Sequence, residues 1–219
     1  MGNEETWLAG VADVVLGVAG VVKVFEEGSL EWEGLVNEVN EVLERNGFGP
    51  VGVAFEDALA TWDDAYASYS SGVIYLSPLL KQLPRKYLAR AFLHEVMHHI
   101  INAKPPHWFA LTRKARSAFA LILPALLGSA FITYALAALI PQQLFYTLTA
   151  LILGLATPSA TMLLLATKEE ALARSLTYYA ITGMWKNEWV TTEEIFNADW
   201  SILNNEKTNT VSRSPQTGY

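Results

Sequence analysis

Five residues, His94-Glu95-Val96-Met97-His98, constrain this chain more than any other stretch. They read H-E-x-x-H within residues 84–103, whose apolar pattern predicts a helix. Residues four apart on a helix stand one above the other on one face, so both imidazoles can reach a single cation. Glu95 lies about 100° further round, beside a water held by that cation. Two neutral imidazoles suit zinc, and an open coordination position makes such a metal catalytic. Zinc lowers the pKa of its water to about 7, and a neighbouring carboxylate can then take the proton. His94 and His98 are therefore the expected zinc ligands, and Glu95 the expected general base. The chain has only four histidines, and three of them lie between positions 94 and 99, which makes the spacing specific.

A fold built on that helix must deliver a third protein ligand and leave one position open. The 219 residues include no cysteine, so disulfides and thiolate ligands are excluded. Glu170 is the expected ligand, with Glu169 as the alternative. Both open the segment Lys168 to Arg174, directly after the second of two long uncharged runs. A solvated first helical turn, favoured by the helix dipole, would account for the same two acids. His99 and His107 are further candidates. His99 stands five residues from His94 and points elsewhere on the helix.

The two runs, Ser117–Ile140 and Leu144–Thr167, hold 24 residues each without a charge. Hydrophobic residues form 52% of the chain and charged ones 17%, and the runs concentrate that excess. Each is long enough for a hydrocarbon core of about 30 Å. Pro124 and Pro158 inside them are better tolerated in spanning helices than in soluble ones. The expectation is a transmembrane helical hairpin over 113–167, with the lipid bilayer as a partner. Trp108 and Phe109 beside Arg113, Lys114 and Arg116 suit a membrane interface. Lys168 and Arg174 follow the hairpin, and its turn carries no basic residue. The positive-inside rule then predicts an integral membrane protein whose catalytic domain and both termini are cytoplasmic. The net charge of −7 gives no reason to expect nucleic acid.

Around these features the chain reads as α+β. Residues 1–28 form an N-terminal segment in which 6–25 are rich in Val and Gly. That stretch suits a packed helix, an interfacial helix or a strand, and it lacks the basic leader of a signal peptide. Ser29 to Arg45 predicts an amphipathic helix with Ser29 as N-cap, a stripe of Trp32, Leu35, Val36, Val39 and Leu43, and Gly47 just past its end. Val51 to Phe55 predicts a strand, and 65–69 and 73–76 flank a hairpin turn at Ser70-Ser71-Gly72. Tyr66, Ala67, Ser68 and Tyr69 read as an edge strand to which a substrate peptide can add as one more strand. An ordinary exposed strand explains the pattern equally well. Short helices are expected at Ser77-Pro78 and near Thr192, and a flexible polar tail over 204–219. The catalytic domain would thus comprise 29–112 and 168–203, a small antiparallel sheet with active-site helices, and the hairpin would be inserted in it.

With these residues in view, the chain resembles the gluzincin metalloproteases of the membrane-embedded HtpX and CAAX prenyl protease type. Its core also resembles the minigluzincins. The likeness covers about residues 50–185 and rests on GVIYLSPLL, HEVMHH, the two uncharged runs and EEALA. It implies a zincin-like fold and hydrolysis of peptide bonds by zinc-bound water, with Glu95 shuttling protons. It also implies His94, His98 and Glu170 as ligands, because Ala173 follows Glu170 as in the family's E-x-x-A. The chain departs from the family at Arg174, where an acid usually orients a ligand histidine, so that support must come from elsewhere. Tyr178 and Tyr179 are candidate donors to a developing oxyanion, and with Arg174 they are candidate supports around the ligands. Tyrosines on a helix also serve as core or interface residues. Two other readings stand beside the protease. One is a metal-holding membrane module without turnover, with a regulatory or binding role. The other is a membrane-remodelling hairpin with an incidental histidine pair.

Overall fold

The ambiguous Val-rich stretch becomes helical because it has two helices to pack against. In the computed structural model, described over residues 2–57, 66–106, 109, 126–134 and 141–201, it forms α1 (Gly2–Ala9) and α2 (Ala12–Glu26). Val14, Val15, Val18, Ala19, Val22 and Phe25 of α2 are buried. Each large apolar side chain removed from water in this way contributes about 1.5–3 kcal/mol. The face they form packs on α3 (Trp32–Arg45) and α4 (Arg85–Ala103). Gly17 allows the close approach of α2 and α3, since a Cβ there would stand 2.8 Å from Val42 Cγ1. Two further contacts tie the N-terminal region to the end of α4. The Trp7 indole N–H donates to the Lys104 carbonyl at 2.7 Å, and the Lys104 ammonium donates to the Gly10 carbonyl at 2.9 Å.

Helix α3 begins at Trp32 with Glu31 in the N-cap position, so Ser29 is not its cap. Leu35, Val39 and Leu43 of its stripe are buried, and Gly47 follows its end with φ 77°. Three short strands come next: β1 (Gly52–Phe55), β2 (Ala67–Ser70) and β3 (Val73–Leu76). The sheet order is β1-β3-β2, with β1 parallel and β2 antiparallel to β3, so the sheet is mixed. Ser71 and Gly72 form the two-residue turn between β2 and β3. Both have positive φ, 51° and 87°, which suits the right-handed twist of a hairpin. As an outer strand, β2 packs on α4.

A 3-10 turn, Pro78–Gln82, is capped by the Ser77 hydroxyl and leads to Pro84 and α4. Pro105 and Pro106 follow the end of α4. Eleven of its residues are buried, among them Leu88, Phe92, Leu93, Val96, Ile100 and Ile101. Arg90 is buried with them. It forms a two-pronged pair with Glu26 and donates to the carbonyls of Ile195 and Ala198. The last helices are α5 (Gln142–Thr182) and α6 (Thr192–Asn197). Gly183, with φ 74°, ends α5. Thr191 and Glu194 close a capping box at the start of α6.

The chain divides into two compact units, residues 1–105 with 171–219, and residues 106–170. Among the described residues, no helix is long and apolar enough to cross a membrane. This corrects the expected transmembrane hairpin over 113–167. The integral-membrane location and the orientation drawn from it go with it. Most of the first run lies outside the described residues. Its described part, 126–134, is helical. The second run is not a separate element. It belongs to α5, which carries Gln142, Gln143, Thr147 and Thr149 near its start and runs on unbroken into Lys168, Glu169, Glu170 and Arg174. His107 and the tail 204–219 also lie outside the described residues.

Candidate metal centre

On α4, His94 and His98 stack edge to face, with ring centroids 4.9 Å apart, as the i, i+4 spacing requires. Both are half-buried, and Glu95 beside them is buried. The ligand atoms of His94, His98 and Glu170 all lie within 4.8 Å of one another. Around a tetrahedral ion with bonds of about 2.1 Å, ligand atoms stand about 3.4 Å apart, so the three suit one zinc after small side-chain adjustments. Two imidazoles and one carboxylate are also a donor set that zinc accepts while keeping a position open. Glu169, the alternative ligand, is 5% exposed and does not belong to this group. Neither acid sits in a first helical turn, because α5 begins far upstream at Gln142.

The bonds of each histidine show what its ring is for. Thr177, fully buried on α5, has its hydroxyl 2.8 Å from the Ala173 carbonyl and 3.2 Å from His94 Nδ1. A hydroxyl has one proton, and a carbonyl can only accept it. With that proton directed at the carbonyl, the Thr177 oxygen presents a lone pair toward His94 Nδ1.

His99 is engaged at both ring nitrogens by other parts of the fold. Nε2 lies 2.8 Å from the Gly49 carbonyl, and Nδ1 lies 3.1 Å from the Tyr69 hydroxyl. The Gly49 carbonyl can only accept, so the ring donates Nε2–H to it, and in the neutral ring Nδ1 accepts from the Tyr69 hydroxyl, which itself accepts the Gly72 N–H. His99 pins the loop before β1 and the β2–β3 hairpin to α4 and is not placed to bind a metal.

The remaining candidates are spread round α5. Measured from Glu170 at 100° per residue, Arg174 lies about 40° away, Tyr178 about 80° and Tyr179 about 180°. Arg174 donates to the Val190 carbonyl at 3.3 Å and to Thr192 Oγ1 at 3.0 Å, and its guanidinium covers Trp189. Tyr178 lies under the Lys186 ammonium, and Tyr179 packs edge-on to Trp185. These side chains fasten the segment after α5 to its last turns. Of the edge-strand residues, Tyr66 is 47% exposed, Ala67 and Ser68 are half-buried, and Tyr69 is committed to His99.

Sequence reasoning missed Thr177. Seven residues after Glu170, it returns to within about 20° of the same helix face, and that recurrence was the available signal. Comparison of the chain with family models, with curated proteins and with solved structures found no match to any of them.

Proposed function

We propose that the protein is a zinc-dependent metallopeptidase of the gluzincin kind, acting on peptide bonds. The observation that carries this reading is the convergence of His94, His98 and Glu170 to within 4.8 Å, with an acid next to the first histidine. His94 and His98 would hold zinc through imidazole nitrogens and Glu170 through its carboxylate. A zinc ion held there supplies an acidified water and polarises the carbonyl under attack. Glu95 takes a proton from the attacking water and returns it to the departing amide nitrogen, a role worth about 10²–10⁴ in rate. The outer strand β2, packed on the helix that carries the ligands, offers backbone groups along which an extended peptide can lie.

One observation favours a second reading, a metal-holding module without turnover. Tyr179 faces away from Glu170, and Tyr178 lies under Lys186, so neither is aimed at a developing oxyanion.

Metal analysis and a cleavage assay on an unfolded protein substrate test both readings. The expected result is one zinc per chain, lost in His98→Ala. Glu95→Gln is expected to retain the zinc and lose cleavage by at least a hundredfold. Equal zinc in wild type and His98→Ala would overturn the metal centre. Cleavage by Glu95→Gln at the wild-type rate would overturn the base. Zinc without any cleavage in the wild type would select the second reading.

A further inference from the structure

We infer that Thr177 is the positioning residue that fixes the tautomer of His94 and so presents Nε2 to the metal. The inference rests on the metal-centre reading above and extends it to the group behind the first ligand. A metal-binding histidine is commonly held by a hydrogen bond from its other ring nitrogen, which sets both tautomer and ring orientation. In this chain that bond runs from His94 Nδ1–H to a hydroxyl, 3.2 Å away, on a different helix.

Three features make Thr177 specific for the task. Its own proton is taken by the Ala173 carbonyl at 2.8 Å, so toward the imidazole it can only accept. It is fully buried, which keeps water from competing for Nδ1–H. It also shares a helix face with Glu170, so one rigid element supplies both the third ligand and the support for the first. Arg174, one turn before Tyr178, is occupied with Val190 and Thr192. The support is neutral: it fixes which nitrogen carries the lone pair without adding a negative charge behind the imidazole.

The test uses the full chain with and without zinc. Nitrogen-15 NMR of the metal-free protein at about pH 8, where an ordinary imidazole is neutral, reads the tautomer directly. In the wild type His94 is expected to carry its proton on Nδ1. In Thr177→Val, which keeps the side-chain shape, the Nε2–H form is expected to appear. Thr177→Ser should behave as the wild type. Chelator competition should show zinc bound 10–100 times more weakly by Thr177→Val, and within about threefold of wild type by Thr177→Ser. Thermal unfolding of the metal-free variants checks that each is folded. Should Thr177→Val fail to fold, the wild-type tautomer and Thr177→Ser still decide the matter.

A wild-type His94 protonated on Nε2 would overturn the inference. So would a folded Thr177→Val that binds zinc as tightly as the wild type. If the wild type binds no zinc, the metal centre fails instead, and the tautomer measurement still reports on Thr177 independently.

Discussion

Replacing Arg90 by Met tests how α4, the helix that carries the histidines, is held. Met keeps an unbranched apolar stem and removes the guanidinium. Four hydrogen bonds go with it: Nε to Glu26 Oε2 at 3.1 Å, Nη2 to Glu26 Oε1 at 2.9 Å, and Nη1 to the carbonyls of Ile195 at 2.7 Å and Ala198 at 2.9 Å. The Arg90 side chain is 4% exposed and that of Glu26 15%, so water reaches the abandoned carboxylate only in part. Breaking a buried pair on one side costs about 3–5 kcal/mol, because the remaining charge stays buried without its partner. Partial exposure of Glu26 moves the pair toward the lower end. The two carbonyls add to the cost, since a buried acceptor that loses its donor costs about 1–3 kcal/mol. We expect a loss of about 3–5 kcal/mol, a large fraction of the 5–15 kcal/mol typical of a domain. Urea unfolding followed by circular dichroism measures it. Adding Glu26→Gln to Arg90→Met should recover about 1–2 kcal/mol by removing the stranded charge. A loss below about 1 kcal/mol for Arg90→Met, or a double variant no more stable than the single, would refute the reasoning.

Two further outcomes are expected. The Glu194 carboxyl is held down from 4.5 to about 2, chiefly by its hydrogen bond from Lys186 and next by the Thr191 backbone N–H. The folded state thus favours the ionised form, and the resulting stability is present above pH 4.5 and lost as pH falls through about 2. The melting-temperature gap between wild type and Glu194→Gln should be steady from about pH 7 to about pH 5, shrink below that and vanish below about pH 2. A gap that persisted there would contradict the assignment. His99→Leu should lower stability by about 1–3 kcal/mol by removing the imidazole that bonds the Gly49 carbonyl and is one of the partners of the Tyr69 hydroxyl, yet leave zinc content unchanged. Loss of zinc in that variant, with its fold intact, would make His99 a ligand after all.

The parts of this molecule that could be read from residues alone are those dictated by local chemistry. Ser71-Gly72 announces a hairpin because few pairs of residues adopt positive φ together, and Glu193-Glu194 announce a helix start near Thr192 because acids suit a first helical turn. The i, i+4 histidines on α4 are equally local. What needed the folded chain was set by distant neighbours. Val14 to Phe25 carries no decisive period of its own and becomes helical between α3 and α4. The spacing sets His99 apart from the His94–His98 pair but does not say what it binds; Gly49 and Tyr69, brought from two other segments, make it a pin. The two uncharged runs suggested separate spanning helices, whereas the second belongs to α5, which passes without interruption into the charged turn that holds Glu170. Glu31 displaced Ser29 at the start of α3, an ordinary boundary shift.

The separation between His94 and Thr177, 83 positions along the chain, orders events during synthesis and folding. Both imidazoles of α4 exist as a pair once that helix coils, a process of microseconds or less. The carboxylate and the hydroxyl that complete the arrangement arrive only after a long loop has closed, and closure over such a span is slow compared with helix formation. A newly made chain therefore passes through an interval in which it holds the two imidazoles of the proposed centre and not yet its carboxylate. Metal captured in that interval would be weakly held and exchangeable, and tight retention would begin only when the C-terminal part of α5 docks.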